Sequence, residues 1–197
     1  MQIEIEVKAW VDEPEKIKSA LSLTAEYRGK ILKQDEYWLN PPSPGVSKAI
    51  STSGIRIRQE EAEDAEGTVR EAVIVTYKTK EVRDGMEINQ EWEFRVSDRA
   101  AFEELLNCLG FTRGCAKEKS GFAWNHEGIT AELTHVPPLG WFVELEILAA
   151  DDAETTVQSA RGRLLDLLGR VGIGEDRIET RYYSEMLQAA GNPPCVA

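Results

Sequence analysis

Cysteine and histidine are scarce in this sequence, and their spacing excludes the common metal sites built from them. The 197 residues include three cysteines and two histidines. The cysteine count is odd and the spacing matches no zinc pattern. We therefore expect reduced thiols, with Cys108 in an apolar core, and we assign no role to His126 or His135.

Long apolar runs and an excess of basic charge are also absent. No run approaches the ~20 apolar residues of a membrane-spanning helix, and charge from Glu4 onward is untypical of a signal peptide. The formal net charge of −12 disfavours a nucleic-acid groove, which needs a basic surface. A small anionic ligand is still compatible, because basic residues can gather in one place. We expect a cytoplasmic protein with no membrane and no nucleic-acid partner.

The sequence is instead rich in strand-like alternation of apolar and charged residues. Strands are predicted at residues 2–9, 55–58, 72–80, 87–96, 115–124, 129–135 and 141–148. Helices are predicted at 14–23, from Asp98 to Gly110, after Asp152, and near 180–190. Residues 40–54 and 60–71 are typical of exposed loops. Without a repeat or a clear linker, we predict one α+β domain over residues 1–190 and a tail over 191–197.

Most predicted strands carry pairs of long charged side chains at alternate positions, and two arrangements explain them. In an open sheet, the charged face would meet water, and its ion pairs would stabilise little. In a closed sheet, the charged face would line a tunnel and the apolar face would pack beneath the helices. The tunnel has a definite chemistry: glutamates are hard oxygen ligands for Mg²⁺ or Mn²⁺, and arginine and lysine bind phosphate oxygens.

The order of the charged motifs resembles that of the CYTH superfamily, the triphosphate tunnel metalloenzymes. EIEVK at residues 4–8 resembles the family's N-terminal E-x-E-x-K motif. The later matches, in family order, are DEYWL at 35–39, IRIR at 55–58, VTYK at 75–78, EWE at 91–93, KEK at 117–119, LGWFVELE at 139–146 and RYYSEML at 181–187. The resemblance implies a closed eight-stranded antiparallel β-barrel with flanking helices, which acts on triphosphates with Mg²⁺ or Mn²⁺.

The resemblance also implies roles for individual residues. The metal ligands it implies are Glu4, Glu6, Glu144 and Glu146, and the triphosphate contacts are Lys8, Arg56, Arg58, Lys78, Lys117 and Lys119. Glu91 and Glu93 would be further acids in the tunnel. Glu4, Glu6, Lys8 and Glu132 are the predicted catalytic set.

The chain departs from the family pattern at three positions. Thr134 stands where an acidic residue is usual, and we hypothesise that Glu132, on the same strand face, or a water molecule replaces that acid. Lys119 stands in place of an arginine and loses its planar two-pronged contact. Tyr182 stands in place of a serine, which we interpret as local packing.

Three functions agree with these residues. The first is a class IV adenylyl cyclase-like enzyme, which converts ATP to cyclic AMP and pyrophosphate. The second is a triphosphatase acting on thiamine triphosphate or inorganic tripolyphosphate. The third is a non-catalytic module that binds nucleotides or polyphosphate. A homodimer is a further expectation from the resemblance.

Overall fold

The computed structural model describes residues 2–40 and 54–191. Within these residues, eight strands close into one antiparallel barrel in the order β1-β5-β4-β3-β2-β6-β7-β8. The strands are β1 (Gln2–Val11), β2 (Glu26–Leu39), β3 (Ile55–Glu63), β4 (Val69–Arg83), β5 (Met86–Val96), β6 (Thr112–His126), β7 (Ile129–Val136) and β8 (Gly140–Ala149). The prediction of a closed barrel, rather than an open sheet, is therefore confirmed.

Four α-helices in the described part of the chain flank the barrel. They are α1 (Pro14–Thr24), α2 (Arg99–Cys108), α3 (Glu154–Arg170) and α4 (Tyr183–Ala189). Asp98 caps α2, as predicted from the sequence, because its side chain accepts a hydrogen bond from the Ala101 N–H. None of these helices combines the length and the apolar character that a membrane span requires.

The main core lies outside the barrel, between its wall and two helices. Ile5 and Val7 of β1 and Leu145 of β8 point outward and pack with Leu21 of α1 and Leu164 of α3. Alternation along each strand places the neighbouring charged residues on the inner face. Apolar packing on the outside thus fixes which side chains face inward.

One end of the barrel is covered by α4. Tyr183 and Met186 of this helix pack with Val136, at the end of β7, and with Phe142, near the start of β8. Trp10, near the end of β1, packs against the same group. We call this the capped end, and we call the opposite end, where Leu148 of β8 is 55% exposed, the mouth.

Several local predictions were wrong. No strand was predicted for residues 26–39, which form β2, and the predicted loop at 60–71 is occupied at both ends by β3 and β4. Cys108 is exposed rather than buried. Cys115 is buried and disulfide-bonded, so the expectation of reduced thiols fails there. The predicted loop at 40–54 and the predicted tail at 191–197 lie mostly outside the described residues.

Candidate functional site

A cavity of about 200 Å³ lies inside the barrel, and most of its wall is charged. Among the described residues that line it, eight are lysine or arginine and eight are glutamate. The basic residues are Lys8, Lys33, Arg56, Arg58, Lys78, Lys80, Lys117 and Lys119, and the acidic ones are Glu4, Glu6, Glu87, Glu91, Glu93, Glu132, Glu144 and Glu146. Tyr37, Thr130, Leu148 and Tyr183 complete the lining.

The barrel brings together all the residues that the sequence assigned to the site. They are Glu4, Glu6, Lys8, Arg56, Arg58, Lys78, Lys117, Lys119, Glu132, Glu144 and Glu146. On β1 and β8, for example, Glu6 is the register partner of Glu146, and Lys8 is the partner of Glu144. Their shared location follows from strand alternation and barrel closure, while their individual roles stay predictions.

Three buried lysines form a basic cluster near the capped end. The cluster consists of Lys8, Lys117 and Lys119, which are 2%, 8% and 6% exposed. The Lys8 ammonium donates to Glu87 at 2.8 Å, and the Lys119 ammonium donates to Glu144. Most of the positive charge in this cluster therefore already has a carboxylate partner.

Lys117 is the least compensated member of the basic cluster. Its partner Asp35 lies 3.2 Å away but also binds Arg58 through two hydrogen bonds of 2.6 and 2.9 Å. Burial, together with the charges of Lys119 and Arg58, lowers the pKa of Lys117 to about 7, although the charge of Asp35 acts in the opposite direction. An anion bound beside Lys117 would supply the missing negative charge.

An acidic cluster lies nearer the mouth and consists of Glu4, Glu6 and Glu146. Glu4 accepts a hydrogen bond from Asn89 at 2.9 Å, and its carboxylate lies 3.6 Å from the Lys78 ammonium. Burial, together with the charges of Glu144, Glu87 and Glu4, raises the pKa of Glu6 well above its usual value. Burial, with Glu4 and Glu132, raises the pKa of Glu146 to about 8.

This excess of carboxylate fits a divalent cation. Two glutamates that face each other with too little positive charge nearby are hard oxygen donors for Mg²⁺ or Mn²⁺. Glu6 and Glu146 fit best, because Glu144 is already engaged by Lys119. Within residues 2–40 and 54–191, no group of three carboxylate, imidazole or thiol side chains is already gathered at metal-binding distance. The two glutamates would thus hold a cation together with ligand oxygens.

The position of the missing family acid is buried and is not part of the cavity lining. Thr134 is fully buried, its hydroxyl has no hydrogen-bond partner among the described residues, and it does not line the cavity. Glu132 does line the cavity, and its carboxylate is bound by Lys33. Burial opposes ionisation of Glu132, but Lys33 and Lys119 lower its pKa overall. Glu132 is therefore an ionised lumen carboxylate, which leaves our hypothesis about its role open.

Sequence reasoning missed four residues that shape the site. Glu87 shares the odd-numbered alternation of Glu91 and Glu93, so its place in the lumen could have been predicted. Lys33 and Asp35 lie on β2, the strand that the sequence did not reveal. Tyr183 of α4 also lines the cavity, and no periodic pattern indicated that.

The fold and its charged lumen can be compared with known proteins. The family model described as CYTH domain matches residues 2–183. The chain belongs to the CYTH family. This family membership agrees with the closed barrel and with the order of motifs in the sequence.

Relatives of this CYTH chain cover almost its whole length. A Methanocaldococcus jannaschii protein, named a putative adenylate cyclase, is 24% identical over 187 residues, covering 93% of this chain and 98% of the relative. A Pyrococcus horikoshii structure is 25% identical, with a TM-score of 0.78 and coverage of 95% of this chain and 99% of that one. A Hippeastrum structure, described as a putative adenylyl cyclase with a dominant triphosphatase activity, is 16% identical. Its TM-score is 0.61, over 97% of this chain and 96% of that one.

Proposed function

We propose that this CYTH protein is a divalent-metal-dependent enzyme that acts on a triphosphate. The observation that carries the proposal is the separation of charge inside one closed lumen. The acidic cluster, Glu4, Glu6 and Glu146, lies toward the mouth, and the basic cluster, Lys8, Lys117 and Lys119, lies toward the capped end. A chain of phosphoryl groups bound to divalent cations has the complementary distribution of charge.

The basic cluster would bind the end of the phosphate chain. Lys117 has the strongest need of an anion, because it shares its carboxylate partner with Arg58. Phosphate oxygens beside Lys117 would keep its ammonium group protonated at neutral pH. Buried ammonium groups of fixed geometry stabilise charge that develops on phosphoryl oxygens without needing to reorganise.

The acidic cluster would hold Mg²⁺ or Mn²⁺ through Glu6 and Glu146, with Glu4 beside them. Such a cation neutralises phosphate charge and acts as a Lewis acid on phosphoryl oxygens. The protein's own contribution would be to orient the phosphate chain. Lys78 would contact the phosphates near the mouth. Its ammonium group lies 3.0 Å from Glu91 and 3.6 Å from Glu4.

Two reactions use this arrangement. The first is class IV adenylyl cyclase-type chemistry, in which ATP gives cyclic AMP and pyrophosphate, and the name of the Methanocaldococcus relative supports it. The second is hydrolysis of a triphosphate such as tripolyphosphate or thiamine triphosphate. The lining favours this second candidate, because sixteen of the twenty described lining residues are charged and suit phosphate better than a base.

Product identification tests the proposal. The protein is incubated with ATP, with tripolyphosphate and with thiamine triphosphate, each with Mg²⁺ or Mn²⁺. Cyclic AMP with pyrophosphate supports the cyclase, and orthophosphate supports the triphosphatase. Tight binding without turnover would instead favour the non-catalytic module, and the absence of both binding and turnover would end the proposal.

A pair of matched variants tests the acidic cluster in the same assay. Glu146→Gln should lower metal-dependent turnover by at least about a hundredfold, the order expected for loss of a major electrostatic contribution. Glu61→Gln, a change at an exposed glutamate of β3, should keep the wild-type rate.

A third variant, Glu132→Gln, tests the hypothesised catalytic role of Glu132. An unchanged rate in this variant would disprove that role.

A further inference from the structure

Tyr183 is the only residue of α4 that lines the cavity, as far as the described residues show. It is 7% exposed, and its ring contacts that of Phe142 edge-on at a centroid distance of 5.1 Å. Phe142 in turn contacts Trp10 at 4.2 Å. The three rings form a continuous layer, which lies where β1 ends and β8 begins.

The inner side of this layer faces the basic cluster. The ammonium nitrogens of Lys8, Lys117 and Lys119 lie 4.7, 4.6 and 5.1 Å from the centroid of the Tyr183 ring. Each distance is within the range of a cation–π contact. The ring therefore occupies the space immediately beyond the three lysines, on their side toward the capped end.

We propose that Tyr183 is a specificity-determining residue, which restricts the site to anions with a free terminal phosphoryl group. This inference rests on the proposed function. An anion that reaches all three lysines ends against an aromatic ring. An ester group on that last phosphate would have to occupy the volume of the ring. A group on the other end of the anion would extend toward the mouth, where Leu148 and the Glu93 side chain are 55% and 46% exposed.

Three synthetic ligands test the proposal without depending on which reaction occurs. They are tripolyphosphate, its monobenzyl ester and the diester with benzyl on both ends. Binding is measured by titration calorimetry in the presence of Mg²⁺. Wild-type protein should bind the first two, because the monoester can enter with its free end first. It should bind the diester at least tenfold more weakly than the monoester.

Removing the ring should abolish this discrimination. Tyr183→Ala leaves a space of about ring size beside the basic cluster, so its diester-to-monoester ratio of Kd values should fall to about threefold or less. Tyr183→Phe keeps the ring and should keep the tenfold ratio. Tyr77→Ala removes an outward-facing tyrosine of β4, which is 37% exposed, and this variant should also show the tenfold ratio. Tyr183→Leu, which retains apolar contact with Phe142, gives the same readout should Tyr183→Ala not fold.

The outcomes separate this inference from the proposed function. Equal binding of diester and monoester by the wild type would overturn the inference while leaving triphosphate binding intact. An unchanged diester-to-monoester ratio of Kd values in variants that lack the ring and still bind tripolyphosphate would also overturn the inference. Failure of the wild type to bind any of the three ligands would remove the proposed function and the inference with it.

Discussion

Asp35 is fully buried and does not line the cavity itself, but it contacts two basic residues that do. Its two oxygens accept hydrogen bonds from Arg58, and it also pairs with Lys117. Burial opposes ionisation of Asp35, but the charges of Arg58 and Lys117 hold its pKa well below the usual value. One carboxylate therefore keeps two mutually repelling cations side by side.

Asp35→Asn should consequently be strongly destabilising. The substitution keeps the size of the side chain but leaves two buried cations without their counter-charge, at a cost of about 3–5 kcal/mol in the free energy of unfolding. Asp166→Asn is the matched control, because Asp166 pairs with Arg170 in an exposed i,i+4 ion pair at 2.7 Å and should cost at most about 1 kcal/mol. Urea denaturation of both variants measures the difference, and equal losses would contradict this account of Asp35.

At the scale of elements, strand pairing imposes close contacts that the sequence does not reveal. Gly121 of β6 approaches β7 so closely that an added Cβ would lie 2.0 Å from the carbonyl oxygen of Leu133. The atom it would meet belongs to the backbone, which cannot rotate away. A larger residue at this position must therefore separate two strands of a closed barrel.

Gly121→Ala should destabilise the protein by about 1–3 kcal/mol, the usual range for overpacking. Gly162→Ala is a control for which the expected change in stability has the opposite sign. This glycine lies within α3, and nothing lies within 4 Å of the added Cβ. Replacing a helical glycine by alanine should stabilise by about 0.5–1 kcal/mol. Thermal unfolding of the two variants gives the comparison, and a Gly121→Ala variant as stable as the wild type would show that the strands separate easily.

Regular elements could be predicted from the sequence, and irregular ones could not. The alternation of β1 is unbroken, so its inner residues, Glu4, Glu6 and Lys8, were assigned correctly to one face. In β2, register shifts occur between Tyr27 and Gly29 and again between Glu36 and Trp38. Each shift breaks the two-residue period on which strand prediction depends. The strand and its lumen residue Lys33 were missed together.

Two further errors in the sequence-based predictions have their origin in tertiary contacts. The acidic residues after Arg58 continue β3 by pairing with β2, where Glu60 lies opposite Lys33 and Glu63 lies opposite Lys30. Lys30 and Glu63 also form an ion pair at 2.8 Å. The sequence analysis placed Cys108 in the core, yet the nearby Leu105 and Leu109 are 51% and 59% exposed. Only tertiary contacts determine how much of an apolar stripe is covered, so Cys108 could not be placed from its helix alone.

At the scale of the whole molecule, positive and negative charges balance inside the barrel but not outside it. The described lining holds eight basic and eight acidic residues, so the formal net charge of −12 belongs to the rest of the chain. A distant anion therefore meets a repulsive field before it meets the lysines. Electrostatic repulsion of this kind slows association and is screened by salt.

The association rate constant for tripolyphosphate should therefore rise with ionic strength, by at least roughly twofold between low salt and physiological salt. Stopped-flow measurements over a series of KCl concentrations at fixed Mg²⁺ would show this trend. A rate constant that falls with added salt would mean that the field at the mouth is attractive, and would contradict a balanced lumen inside an acidic exterior.

In the proposed reactions, a barrel covered at one end by α4 would also set the order in which products leave. With the described residues of α4 covering the other end, a ligand that enters through the mouth would leave by the same route, and the fragment held deepest would leave last. For a cyclase this fragment is pyrophosphate, with cyclic AMP gone before it, and for a triphosphatase it is the released terminal orthophosphate. The last product to leave is the one that competes directly with fresh substrate for the empty protein. For the proposed reactions, the identity of the competitive inhibitor would therefore report which phosphorus–oxygen bond is broken.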